Sequence, residues 1–193
     1  LWLGTIGQMD LMGPLLLKVV VRELAPLLAN LIIVLRSGTA ITTELANMKL
    51  SGEVDLLDAQ GLDPMIYLVM PRVLAVPLSV FCMTVVFIFV SFASGYSVGV
   101  LLGEVHQPAD VFFGGIFRIV TAEEILFVLP KTIITGLIIG VICCVEGLSV
   151  RRAATEVPQA ASRSAIGSLT AIFGVSPVLS LLIYGTVLLI EID

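Results

Sequence analysis

Charge is what this sequence has least of. Of its 193 residues 13% are charged and 58% are hydrophobic, and the mean hydropathy is +1.12. Soluble globular domains carry about 25% charged and about 45–50% apolar residues, so both a soluble globular chain and a disordered one are excluded. The charge that is present is not basic. Ten Lys plus Arg against 15 Asp plus Glu leave a net charge of −5, with no basic face to track nucleic-acid phosphates. Histidine occurs once, as His106 in a polar turn near Pro108, and no spaced Cys/His set offers a metal site. The cysteines Cys82, Cys143 and Cys144 lie inside apolar runs. An odd number with two adjacent is no disulfide framework, so they read as small packing residues. A G-x-x-x-x-G-K-[ST] loop is missing as well, so ATP is not expected to bind to this chain.

Long apolar runs take the place of charge. A membrane-crossing helix needs about 20 mostly apolar residues. The runs 73–103 and 164–190 contain no charged residue, 125–146 is interrupted only by Lys131, and 13–35 carries Lys18, Arg22 and Glu23. The reading is an all-α polytopic transmembrane helical bundle, one domain over residues 1–193, with four spans at about 13–35, 66–95, 125–146 and 164–190. Arg36, Lys49 and Arg72 fall in the connection 36–72, and Arg151, Arg152 and Arg163 in 146–163, whereas the opposite side offers only Arg118 outside the spans. The positive-inside rule makes both connections cytoplasmic and turns both ends of the chain away from the cytoplasm. The outer connection, 104–124, holds Val111, Phe112, Phe113, Ile116 and Phe117, and is expected to lie as an amphipathic helix at the outer interface. Gly95, Gly99 and Gly103, and separately Gly136 and Gly140, form G-x-x-x-G units suited to close helix packing within the chain or between copies. Pro77 and Pro130 are expected to bend their spans.

The cytoplasmic segment 36–65 is well punctuated. Ser51 can cap a short helix over 52–60 whose first turn holds Glu53 and Asp55, acids that suit the positive end of the helix dipole. Gly61 stands where a left-handed cap is expected, and Asp63 followed by Pro64 opens the next helix. The apolar Val54, Leu56 and Leu57 are mixed with Glu53, Asp55 and Asp58 and form no clean stripe. A helix lying on anionic lipid should be basic, so an acidic one points to a protein partner.

These residues resemble the MlaE/YrbE-type permeases of ABC transporters, which are associated with MCE-domain proteins in lipid transport. Arg22-Glu23-Leu24-Ala25-Pro26 is similar to the family's RELGP, and Arg36-Ser37-Gly38-Thr39-Ala40 with Glu44 to its GRxGSA…AE stretch. Glu53-Val54-Asp55, Gly61, Pro64, Leu68-Val69 and Pro71-Arg72 are similar to its ExDAxxxMGxxPxxxLVxPR motif. Further on, Lys131-Thr132, Cys144 and Gly147 follow the looser K-S…C-x-x-G pattern of a later span. Ala25, Gly52, Leu56 and Gln60 depart from the family pattern. The resemblance implies a permease without catalytic residues or a cofactor of its own, acting as a homodimer with an MCE-domain partner and a separate ATPase that binds ATP and Mg. It implies that the short cytoplasmic helix is a coupling helix, with Glu44, Glu53, Asp55, Asp58, Gly61, Pro64 and Arg72 serving ATPase coupling. It also implies residence in a bacterial inner membrane, or in a chloroplast inner envelope. The family usually has five spans after an N-terminal interfacial helix, so this chain is expected to lack the first span, with 1–12 as an outer connection.

Charges within spans call for a reason, because Arg, Lys or Asp at a helix centre costs about 2.5–3.5 kcal/mol on insertion scales. Lys18 can snorkel from the outer end. Arg22 and Glu23 point about 100° apart on a helix and pair poorly with each other, so Glu23 is expected to find its partner in Lys131. Arg22, Glu23 and Lys131 could form a structural ion pair between helices, or the polar lining of an otherwise apolar lipid pocket, with the cations toward phosphate. A proton-coupled secondary transporter using Glu23 is the alternative, and the absence of matching interrupted spans in the two halves weighs against it. An intramembrane enzyme lacks a nucleophile paired with a base.

Overall fold

The computed structural model describes residues 19–101, 122–151 and 153–190. The expected outer segment over 104–121, Lys18 and the start of the first span lie outside the described residues. Among the described residues every regular element is helical. The order is α1 (Val20–Leu50), α2 (Glu53–Ala59), α3 (Met65–Leu101), α4 (Ala122–Leu148) and α5 (Glu156–Ile190). All but α2 are long and apolar enough to cross a membrane, giving the four spans of an integral membrane protein.

The first helix differs from expectation. Residues 36–50, read as part of a cytoplasmic connection, continue α1 without a break, so Arg36 lies on an exposed face of a long helix and marks no loop. Nothing in this stretch stops a helix. It has no proline, its one glycine, Gly38, packs against Cys143 Sγ, and the hydroxyls of Thr39, Thr42 and Thr43 donate to carbonyls one turn back at 2.8, 3.0 and 2.9 Å. Fully buried Val34, Thr42, Leu45 and Ala46 hold its inner face. At 1.5 Å per residue α1 reaches about 46 Å, half as long again as the roughly 30 Å hydrocarbon core, so its end projects beyond the membrane.

Helix α4 is central, packing along α3, α5 and α1. Its small residues set the approach. A Cβ on Gly136 would stand 2.5 Å from Pro77 Cα, and one on Gly140 3.1 Å from Val73 Cα, so this G-x-x-x-G unit serves packing within the chain. Gly95, by contrast, is exposed with open space around it. The core at mid-height is Val34, Val76, Val80, Ile139, Cys143 and Ile172. Beside it Thr42 Oγ1 also lies within hydrogen-bond distance of Cys143 O at 3.1 Å and Ser164 Oγ at 2.9 Å, a polar tie between α1, α4 and α5 of the kind membrane helices use in place of hydrophobic association. Apolar residues such as Leu74, Leu78 and Phe89 of α3 and Ile166, Phe173 and Leu181 of α5 face outward, as lipid-facing surfaces do. Cys82 belongs to that outer surface, whereas Cys143 and Cys144 are buried packing residues.

At the end of α1, Ser51 closes the helix and does not cap the next. Gly52 makes the turn in the left-handed region at φ +77°, and α2 starts at Glu53 with no side-chain cap. Gly61, at φ +78°, makes the turn that follows α2. Asp63 Oδ1 accepts the N–H of Met65 at 2.9 Å, which fixes the start of α3. Val54 and Leu57, one turn apart, do form an apolar stripe. They pack against a cluster of Leu45, Leu68 and Cys144, and Leu56 stays outside.

Candidate functional site

Three intramembrane residues singled out by their charge come together from two helices. The backbone over Val20–Leu24 is wound as a π-helix, the N–H of Ala25 reaching back five residues to Val20 O. Such wide turns are frequent at functional sites, and of the three among the described residues this one carries Arg22 and Glu23. Pro26 has no N–H, so the Arg22 carbonyl four residues earlier has no α-helical donor. Lys131, from α4, fills that place, its Nζ donating to Arg22 O at 3.3 Å.

An ammonium has three N–H donors, and each of those of Lys131 meets an oxygen. Besides Arg22 O they are Glu23 Oε2 at 2.6 Å and Ser180 Oγ at 2.7 Å. Ser180, from α5, donates in turn toward Glu23 Oε1 at 2.7 Å, with Ser176 O also near at 3.0 Å. The Lys131 side chain is only 4% exposed, while Glu23 is 37% exposed. The Arg22 guanidinium lies over the Phe127 ring, 4.4 Å from its centroid, where the ring face attracts a cation. Arg22, Glu23, Lys131 and Ser180 thus form a charged, hydrogen-bonded group among apolar helices, an arrangement suited to a molecule with a polar head and an apolar remainder.

A second polar pair braces the group from below. Asn30 Nδ2 donates to Pro26 O at 2.8 Å and to Thr135 Oγ1 at 3.2 Å, and Thr135 donates to Lys131 O at 2.6 Å. Asn30 is buried, and its Oδ1 has no hydrogen-bond partner among the described residues.

The opposite end of the bundle carries two further ion pairs. Arg72 pairs with Glu44 at 3.0 Å and also donates to Leu68 O. Arg163 pairs with Glu146 at 3.0 Å, and Lys49 Nζ donates to Leu148 O at 2.8 Å. Lys131 and Glu146 lie 15 residues apart on one helix, which is about 22 Å. The Lys131 group therefore lies in the half of the span away from this charged ring. Beyond the ring, Glu53, Asp55 and Asp58 are all exposed on α2, Gly61 makes the turn after it and Pro64 begins the next helical turn.

Sequence reasoning missed Ser180, Asn30 and Phe127. A serine in a charge-free apolar run carries no periodic or charge signal, and only the meeting of α5 with α1 and α4 gives Ser180 its two charged partners. Pro26 was the one local hint, since a proline in a span leaves a carbonyl to be satisfied from elsewhere.

The family model for Permease MlaE matches residues 1–182. The chain is 31% identical over 147 residues, 76% of its length, to a probable ABC transporter permease protein of Rickettsia typhi, of which that covers 56%. It is 30% identical over 167 residues, 86% of its length, to a probable ABC transporter permease protein of Synechocystis, covering 63% of that protein. To the protein Trigalactosyldiacylglycerol 1, chloroplastic, of Arabidopsis thaliana it is 29% identical over 168 residues, 82% of its length and 45% of the plant protein. The chain thus spans less than two thirds of the length of each of these relatives.

Proposed function

Because the chain belongs to the MlaE permease family, we propose that it is the membrane-spanning subunit of an ABC transporter that moves a phospholipid or related lipid. It exchanges that lipid between its own membrane and an MCE-domain partner, and a separate ATPase subunit supplies ATP and Mg. The observation that carries the lipid reading is the set Arg22, Glu23, Lys131 and Ser180, a charged group held among apolar helices. A phospholipid offers the matching pair of chemistries, an anionic phosphate for the Arg22 side and acyl chains for the aliphatic walls. The Arabidopsis relative bears the name of a glycolipid, which supports a lipid as cargo.

Coupling to the ATPase falls to α2. Its acids Glu53, Asp55 and Asp58 face outward for polar contacts, while Val54 and Leu57 seat it on α1, α3 and α4. Glu44 and Arg72 brace the neighbouring ends of α1 and α3. Two copies form the transporter, with the lipid cavity between their α1 helices, in a bacterial inner membrane or a chloroplast inner envelope. A proton-coupled carrier using Glu23 fits less well, because Glu23 is bonded to both Lys131 and Ser180 as a counter-ion.

The test is reconstitution of the protein purified with its native partners. An ATPase should accompany it, and lipid movement should require ATP. Exchanging Glu53, Asp55 and Asp58 for Gln and Asn should lower ATPase-coupled movement by about tenfold, the effect of losing one to two charge-assisted contacts, with membrane insertion intact. Lipid movement driven by a proton gradient without ATP would overturn the proposal.

A further inference from the structure

Arg36 is a cation of α1 that neither the polar group around Lys131 nor the charged ring takes up. It is exposed, and its guanidinium has no hydrogen-bond or ion-pair partner among the described residues. The acids of α1 are engaged elsewhere. Glu44, eight residues on, pairs with Arg72, and Glu23, thirteen residues back, is bonded to Lys131 and Ser180. The backbone marks the same place: Val34–Gly38 is wound as a π-helix, the N–H of Thr39 reaching back to Val34 O, as Val20–Leu24 is around Arg22. Each of these two wide turns of α1 thus carries an arginine, and the two lie fourteen residues apart, which is about 21 Å. The surface between them is aliphatic. Over 24–35 the exposed residues are Leu24, Ile32 and Leu35, and the half-buried ones are leucine or isoleucine as well. These twelve residues rise about 18 Å, close to the roughly 15 Å that one leaflet contributes to a hydrocarbon core of about 30 Å.

We infer that Arg36 is a second lipid-binding site, separate from the Arg22–Lys131 group: its guanidinium takes the phosphate of a phospholipid whose acyl chains lie along the aliphatic strip 24–35. The inference rests on the phospholipid reading above. A charge on the surface of a membrane-crossing helix is costly unless it is paired, and α1 and its neighbours offer Arg36 no acid. The planar fork of a guanidinium matches phosphate oxygens two at a time. A carboxylate on a protein partner would answer the charge alone, whereas a phospholipid answers both the charge and the strip of chain length beside it.

The experiment uses the full-length protein with its native partners in vesicles that contain a phosphatidylglycerol with a photoreactive diazirine at the end of one acyl chain. A parallel set contains a diacylglycerol with the same chain and no phosphate. After irradiation, labelled positions over 24–35 are mapped by mass spectrometry. A phosphate at Arg36 places the chain end near 24–28, so the wild type should be labelled there by the phosphatidylglycerol and more weakly by the diacylglycerol. Arg36→Ala should lower the phosphatidylglycerol labelling at least about threefold, the effect of losing one charge-assisted contact at an exposed site, and leave the diacylglycerol labelling as it was. Arg36→Lys, which keeps the charge without the fork, should fall between the two. Unchanged phosphatidylglycerol labelling in an Arg36→Ala protein of wild-type thermal stability would overturn the inference, as would equal labelling of 24–28 by both probes in the wild type. Wild-type protein labelled over 24–35 by neither probe would instead remove the phospholipid reading itself, and the inference with it.

Discussion

Lys131 shows how a cation is kept inside an apolar bundle. Its side chain is 4% exposed, and each of its donors meets an oxygen from α1 or α5. Breaking such a pair by removing one partner leaves the other charge uncompensated, which costs about 3–5 kcal/mol for a fully buried pair. Glu23 keeps some exposure, so Lys131→Met is expected to destabilise by about 2 kcal/mol, below that range, read as a lower thermal midpoint in detergent. Adding Glu23→Gln to that variant should recover most of the loss, because the orphaned charge is then gone. A double variant that loses the sum of the two single effects would show that the residues do not interact. Arg22, Glu23 and Lys131 were legible in the sequence because a charge in an apolar run stands out against its cost. Ser180 and Asn30 were not legible, since a small polar residue in a span costs little and gains its meaning from its neighbours across the bundle.

Among the elements, α4 decides the packing and α1 the length. Gly136 lets α4 lie against Pro77 of α3, with a Cβ there only 2.5 Å from the proline Cα. Gly136→Ala is therefore expected to cost about 1–3 kcal/mol through overpacking. Gly95→Ala, with open space around it, should be neutral or stabilising by up to about 1 kcal/mol from helix propensity. Thermal unfolding of the two variants separates them, and equal effects would contradict the packing role of the Gly136–Pro77 contact. The four spans were legible because runs of about 20 or more mostly apolar residues suit a membrane crossing, even where a few charges interrupt them. The continuation of α1 was not, because Arg36, Glu44 and Lys49 make 36–50 look like a loop. In the fold those charges sit on the outer face or near the end of α1, while Val34, Thr42, Leu45 and Ala46 are buried on its inner face. Mixed charge hid a helix whose burial is set by tertiary contacts rather than by a clean apolar run. The turns around α2 were legible at Gly61 and at Asp63, but Gly52, with its positive φ, took the place expected for Ser51.

For the whole molecule, the charged ring, the α2 acids and the connection after α4 lie at one end, and the Arg22–Lys131 group lies toward the other. Cysteines introduced at Ser51 and Ser149, both exposed, should accordingly react with a membrane-impermeant thiol reagent from the same side of the membrane, the side that carries α2. Labelling from opposite sides would contradict this arrangement. The proposed coupling puts ATP action at α2 and lipid binding some distance away, the two joined through α4, which reaches from Cys144 beneath α2 to Lys131 in the polar group. Lipid recognition by that group is the central claim, and its most direct measurement is the phospholipid retained per permease after purification, compared between the wild type and Arg22→Ala. Loss of one charge-assisted contact to phosphate predicts a fall in affinity of about tenfold or more, with Lys131→Ala also reduced because the carbonyl and carboxylate it orders are released; unchanged lipid occupancy and transport in both variants would contradict it.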